Sequence, residues 1–133
     1  MPHRLQTFAT PEERRAYNET IVKPFYQHEE DYDWTDVADR FVGLETLMHR
    51  VRERTLLRML RRFGHDQPIL DIGCGSGLHL RHMPAGSVGI DINPRNVIRS
   101  RVYAPQATVV EGDAEHLPFP DHAFATVICT EVL

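Results

Sequence analysis

The sequence predicts an α/β fold, a parallel sheet with helical crossovers, preceded by a helical N-terminal extension. Three observations carry this. The run Ile69-Leu70-Asp71-Ile72 leads straight into Gly73-Cys74-Gly75-Ser76-Gly77, a strand followed by a glycine loop. Three further short apolar runs follow and alternate with helix signals, the pattern of a parallel sheet. Upstream, apolar residues recur at helical spacing over 42–63.

Residues 1–10 read as a lead-in. Thr10-Pro11-Glu12-Glu13 is a helix start, with a Thr cap, Pro in the first turn and then acids. The helix should run over about 11–22 and stop before Lys23-Pro24. Phe25 to Trp34 mixes aromatics with acids without a period and reads as loop with room for one helical turn. Val42, Leu44, Leu47, Met48, Val51, Thr55, Leu56 or Leu57, Leu60 and Phe63 mark the face of the longest helix, which Gly64 should end. Arg50, Arg52, Arg54, Arg58, Arg61 and Arg62 mark its outer face. That face is either solvated or a patch for an anionic partner such as RNA.

Strand one spans about 68–72, and a short helix is expected from Gly77 to Met83, ended by Pro84. Ser87 to Asp91 is the second strand. Asn93 caps a helix over about 94–102, with Pro94 in its first turn. Ala107 to Glu111 is the third strand. Ala123 to Thr130 is the fourth, apolar apart from its threonines, as suits a central parallel strand.

Composition narrows the class. A length of 133 residues allows one modest core. The net charge of −4 gives no overall basic footprint for nucleic acid, without excluding it locally. No apolar run reaches the roughly 20 residues of a membrane span. Met1-Pro2-His3-Arg4 lacks the apolar core of a signal peptide. Two cysteines without a framework spacing suggest a reducing compartment, and a cytoplasmic location is expected. His79, His82, His116 and His122 have no metal-site spacing, so no metal is expected.

Strand, glycine loop and helix form the pattern of a nucleotide-binding crossover, in which helix N–H groups face an anionic ligand group. The spacing here is G-x-G-x-G, with Leu78 where a dinucleotide fingerprint has its third glycine. With its leading acid, Asp71 to Gly77 resembles motif I of the class I S-adenosylmethionine-dependent methyltransferases. Asp91 follows Asp71 by twenty positions, at the end of the second strand. The segment Glu111-Gly112-Asp113-Ala114-Glu115-His116-Leu117-Pro118-Phe119-Pro120-Asp121-His122-Ala123-Phe124 closely resembles a segment of the type 11 methyltransferase group. The resemblance covers about residues 65–133. It implies an S-adenosylmethionine-dependent methyltransferase, or its cofactor-binding part, on a Rossmann-like sheet ordered 3-2-1-4.

The resemblance also implies roles. Asp71 orders the loop and reaches the methionine amino group. Gly73, Cys74, Gly75 and Gly77 bring the backbone to the methionine and ribose. Asp91 holds the ribose hydroxyls, and Ile92 offers an apolar face to the adenine. Asp113 accepts from the adenine amino group, and the Ala114 N–H donates to a ring nitrogen. Thr130 and Glu131 line the reactive side. Each acid also has a plain structural reading, as a loop cap, a helix cap or an Asx turn. Tyr17, Tyr26, Tyr32 and Trp34 could wall a cationic sulfonium, or simply pack a helical cap. Cys74 and Cys129 are expected reduced. No catalytic base is legible, and the methyl acceptor is unidentified.

The family usually has aspartate where Ala125 follows Phe124. More consequentially, the sequence ends with strand four, so the C-terminal half of the family's seven-stranded sheet is absent. The expected organisation is a helical cap over 1–64 and a cofactor-binding half-domain over 65–133. The free edge of strand four invites a homodimer, or the chain is a fragment. A non-catalytic, partner-dependent module and a nicotinamide dehydrogenase are the competing readings. Leu78 and the Asp113 segment argue against the latter.

Overall fold

The computed structural model describes residues 7–28, 33–40, 43–63, 68–130 and 132. Val42, Tyr32, Gly64 and Glu131, and with them the expected helix stop and the 64/65 boundary, lie outside these residues.

Four parallel strands form one sheet: β1 (Ile69–Ile72), β2 (Val88–Asp91), β3 (Thr108–Glu111) and β4 (Thr126–Cys129). Their order is β3-β2-β1-β4, as expected. Leu70 pairs with Val88 on one side and Val127 on the other. β4 is shorter than expected, and its approach is pinned by the Ala125 N–H on the Pro68 carbonyl at 2.9 Å. Ile69, Leu80, Val97, Ala104, Val109 and Ile128 form the buried core.

The N-terminal layer comprises α1 (Pro11–Tyr17), a π turn (Asn18–Val22), α2 (Lys23–His28), α3 (Trp34–Asp39) and α4 (Leu44–Phe63). Thr10 caps α1 as expected, accepting the Glu13 N–H at 3.2 Å. The expected stop at Lys23-Pro24 does not occur, and the one helical turn allowed within Phe25 to Trp34 is the end of α2, which runs to His28. The π turn explains this. The Lys23 N–H reaches back five residues to the Asn18 carbonyl, which loosens the ladder where Pro24 has no N–H and would crowd the preceding turn. Trp34 likewise opens a helix, because Asp33 accepts the Thr35 and Asp36 N–H groups.

α4 also departs from expectation. Its inward face is Thr46, His49, Glu53, Leu56 and Leu60, while Leu44, Leu47, Met48 and Val51 face outward. Polar anchors explain the orientation. Thr46 Oγ1 donates to the Val37 carbonyl at 2.9 Å, and Arg50 Nε to the Ala38 carbonyl at 2.8 Å. These satisfy the last carbonyls of α3, which have no partner within that helix. Glu53 accepts from Arg81 Nη2 at 2.9 Å.

The helix expected from Gly77 to Met83 shrinks to a 3-10 turn, Leu80–His82. Gln106 Nε2 holds this turn, 3.0 Å from each of the Leu80 and Met83 carbonyls. α5 (Pro94–Tyr103) follows β2, capped by Asn93 as expected.

Gly77 is required by packing. Its φ is +93°, and a Cβ there would sit 2.8 Å from Ser100 Oγ and 3.2 Å from Ser100 Cα on α5. Gly77→Ala should therefore destabilise the fold by about 2–4 kcal/mol, measured by urea unfolding.

Candidate functional site

The chain runs from β1 outward to β3, then returns to the far side of β1 as β4. Ligands of parallel α/β sheets bind at such a reversal, beyond the carboxyl ends of the strands. A cavity of about 250 Å³ opens there. Gly73, Cys74 and Gly75 form its floor, and Asp91 and Ile92 line it from the tip of β2. Asp113 and Ala114 enter after β3, and Thr130 at the end of β4. Asp71 and Gly77 are not on the wall: Asp71 is fully buried beneath it, and Gly77 faces α5.

The loop's hydrogen bonds restrict what it can hold. The Gly73 and Cys74 N–H groups donate to the Ile90 carbonyl at 2.8 and 3.1 Å. The Gly75 N–H donates to Asp91 Oδ2 at 2.8 Å, and the Gly77 N–H to the Cys74 carbonyl at 3.0 Å. The following turn is too short to present a helix N-terminus. The expectation of N–H groups facing an anionic group is therefore corrected. A phosphate cradle needs donors turned outward, and four of this loop's donors are already engaged. The glycines instead permit close approach: a Cβ on Gly73 would collide with Val132, and one on Gly75 would lie 3.1 Å from Trp34 Cδ1.

Asp91 accepts three hydrogen bonds, from Gly75 N–H, Asn93 N–H at 2.9 Å and Asn96 Nδ2 at 3.3 Å. Burial raises its carboxyl above the usual range, partly offset by these donors. A carboxylate offers about four acceptor positions, so capacity remains for a ligand hydroxyl.

Asp71 has no hydrogen-bond partner for either oxygen among the described residues. Burial, then the nearby Asp91 charge, pushes its carboxyl up to about 7. A buried acceptor without a donor fits a cationic or N–H-bearing ligand group close to the loop. Cys74 is a buried thiol, raised well above its usual range first by burial and then by Asp71 and Asp91. It is poorly suited to nucleophilic work. Cys129 is a free thiol too.

The N-terminal layer supplies the opposite wall. Val22, Lys23, Tyr26, Trp34, His49 and Arg52 all line the cavity. Trp34 and His49 meet edge to face at 5.2 Å. Of the aromatics grouped as a possible wall, Tyr26 and Trp34 take part, whereas Tyr17 packs on Phe8 instead. Ser76 fastens this layer to the loop: it accepts the Thr35 N–H at 2.9 Å and shares a hydrogen bond with Thr35 Oγ1, both residues fully buried. Lys23 fastens α2 from the other side. Its ammonium lies 2.6 Å from Asp113 Oδ2 and 2.7 Å from Glu19, and also bonds Glu115. Burial opposes charge on Asp113, but Lys23, the Glu115 N–H and His116 outweigh it and hold the carboxyl below its usual range.

Several wall residues escaped the sequence reading. Arg52 reads from the sequence as part of the outer face of the longest helix, and His79 and Lys23 carry no expected role in the site. His79 Nδ1 lies 3.3 Å from Thr130 Oγ1, both on the cavity. The spacing Thr46-His49-Glu53-Leu56-Leu60 is itself helical and would have shown the inward face of α4, had polar residues been admitted to the pattern.

Residues 70–133 match the family model described as a methyltransferase domain. An uncharacterized methyltransferase of Synechocystis sp. is 41% identical over 64 residues, covering 46% of this chain and 30% of the relative. The ubiquinone biosynthesis O-methyltransferase of Azorhizobium caulinodans is 37% identical over 91 residues, covering 56% of this chain and 36% of the relative. The chain thus spans about a third of the length of these relatives. In fold it is similar to magnesium protoporphyrin IX methyltransferase from Synechocystis PCC 6803 solved with bound SAH. The TM-score is 0.66 at 21% identity, over 86% of this chain and 58% of that one.

Two outcomes are expected from the site's electrostatics. Between about pH 4 and about pH 7 the folded chain keeps a proton on Asp71 that the unfolded chain has released. Stability therefore falls as pH rises through that window and levels off above it. Asp71→Asn removes this slope, so urea midpoints of variant and wild type should diverge up to about pH 7 and then run parallel. Separately, α1, the π turn and α2 bury no residue, so Lys23→Ala should speed hydrogen exchange across Pro11–His28 while leaving β1 and β2 protected.

Proposed function

We propose, from the match of residues 70–133 to the methyltransferase domain model, that this chain holds S-adenosylmethionine across the tips of β1, β2 and β3, as a class I S-adenosylmethionine-dependent methyltransferase domain would. It would serve there as the cofactor-binding part of a methyltransferase. The carrying observation is the Gly75–Asp91 hydrogen bond. It places an acid with spare acceptor capacity against a glycine loop whose donors are turned inward, an arrangement for a nucleoside without phosphate.

The resemblance supplies the assignments, and the position of most of these residues around the cavity supports them. Asp91 holds the ribose hydroxyls, and Ile92 backs the adenine. Asp113 takes the adenine amino group, and the Ala114 N–H a ring nitrogen. Gly73, Cys74 and Gly75 offer bare backbone to the methionine portion. Asp71 supplies the charge that the methionine ammonium seeks, and Gly77 acts at one remove by seating the loop on α5. Thr130 marks the reactive side, with Tyr26 and Trp34 offering aromatic faces to a cationic centre. A sulfonium supplies an already activated methyl group. The residues therefore align and exclude water rather than generate a nucleophile. No base is assigned, and the methyl acceptor is of unidentified class.

The same reading covers the organisation of the chain: residues 1–64 as a helical cap and 65–133 as the cofactor half. The buried Thr35–Ser76 bonds support a cap built into the site. The position of β4 at the edge of the sheet among the described residues supports a homodimer along that edge. No helix among the described residues is long and apolar enough to cross a membrane, and we place the protein in the cytoplasm.

Calorimetry with S-adenosylhomocysteine and NAD side by side tests the assignment. S-adenosylhomocysteine should bind and NAD should not. Asp91→Asn and Asp113→Ala should each weaken binding by about 10- to 100-fold, as loss of a charged acceptor implies. Equal affinity for NAD, or unchanged affinity in both variants, would overturn it.

A further inference from the structure

α4 carries two opposed faces. Thr46, His49, Glu53, Leu56 and Leu60 look inward. On the other side Leu44 is 75%, Leu47 56%, Val51 51% and Met59 55% exposed, with Met48 beside them. At 3.6 residues per turn these five fall within about a third of the circumference. Single exposed apolar side chains are ordinary, but a stripe of them on one helix, here interrupted only by Thr55, marks a docking surface.

Charge indicates what docks there. Arg54, Arg58, Arg61 and Arg62 are exposed along and beyond the stripe. Glu45 is the one acid on the outward side of α4, since Glu53 is turned in toward Arg81 and His82. The chain as a whole carries −4, so this cationic face is local and directional. Phe63 is exposed at the C-terminal end with the Arg62 guanidinium 4.9 Å above its ring.

We propose that the outward face of α4 docks on an anionic lipid bilayer, lying in the plane of the surface. Leu44, Leu47, Met48, Val51 and Met59 enter the acyl boundary, and the arginines reach the lipid phosphates. Nucleic acid would use the arginines and leave the apolar stripe without a partner. A second copy paired antiparallel through α4 would set Arg58, Arg61 and Arg62 against a turn whose single acid is Glu45, leaving most of the charge unneutralised. A bilayer satisfies both features at once. His49 and Arg52 of the same helix line the cavity, so docking also brings the cavity close to the membrane surface. The proposal does not rest on methyl transfer, because none of the docking residues named takes part in the cofactor site.

Vesicle flotation of the full chain tests it. The protein should float with vesicles of phosphatidylglycerol mixed with phosphatidylcholine, stay unbound with phosphatidylcholine alone, and be released by high salt. Leu47→Glu with Val51→Glu, and separately Arg58→Glu with Arg62→Glu, should each weaken binding at least about tenfold. Far-UV circular dichroism and S-adenosylhomocysteine affinity should match wild type in both. If the glutamates unfold the helix, Leu47→Gln with Val51→Gln should still weaken binding. Wild-type protein that ignores anionic vesicles would overturn the proposal, as would equal binding to phosphatidylcholine alone. So would a dimer in light scattering that Leu47→Glu dissolves, or RNA binding lost with Arg58 and Arg62 in a protein that does not float. Loss of cofactor binding without loss of flotation would count against the proposed function alone.

Discussion

The carboxylate of Asp91 gathers donors from three separate places: the glycine loop at Gly75, the cap of α5 at Asn93, and its first turn at Asn96. The rest of the site depends on this convergence. Because Asp91 lies at the carboxyl end of β2, the bonds lock the loop after β1 to the neighbouring strand. The Gly73 and Cys74 N–H groups reinforce the lock through the Ile90 carbonyl. The loop is thereby a rigid floor. Ionising Asp91 is costly in a buried place, and its three donors are what make the charged form tolerable.

The N-terminal layer is attached to this floor in two different ways. Thr35 and Ser76 are fully buried, and breaking their hydrogen bonds would leave polar groups without water or partner. Arg81 adds a fork to Asp39 and a bond to Glu53. α3 and α4 are thus fixed parts of the site wall. α1 and α2 contain no fully buried residue, and Lys23 among acids ties α2 to the segment after β3. An ion pair between partly exposed groups is weak and screened by salt. Mobility in the wall should therefore be greatest at α2, which carries Tyr26 and the Lys23 contact to Asp113.

The sheet was legible because its signals are local. β1, β2 and β3 are each a short apolar run beside Pro, Gly or an Asn cap, and the acids at the tips of β1 and β2 lie at fixed offsets from the glycines. The N-terminal layer was less legible because tertiary demands override local ones there. Pro24 reads as a stop, yet a π turn carries the helix past it. Leu47 and Val51 read as core, yet the carbonyls of Val37 and Ala38 needed donors, and Thr46 and Arg50 supplied them. The helix after the loop failed for a similar reason. Gly77 at positive φ suits a turn, and Gln106, some 25 residues downstream, satisfies carbonyls that a helix would otherwise have used.

The arrangement of charge carries the argument one step further. Asp91 and Asp113 line the cavity, and Asp71 lies just under it. Of the cations on the wall, Lys23 is already shared among three acids, so its field is largely spent. A ligand entering this space meets the carboxyls of Asp91 and Asp113, with Arg52 as the other cation on the wall, and finds four of the loop's N–H groups turned away. Anionic nucleotides are disfavoured twice over, by repulsion and by the lack of donors. A ligand with a cationic end and a neutral sugar and base is favoured by the same two features. Asp71, neutral or charged near pH 7 according to what sits beside it, gains most from such a ligand, because a cation at the loop turns its unfavourable burial into an ion pair.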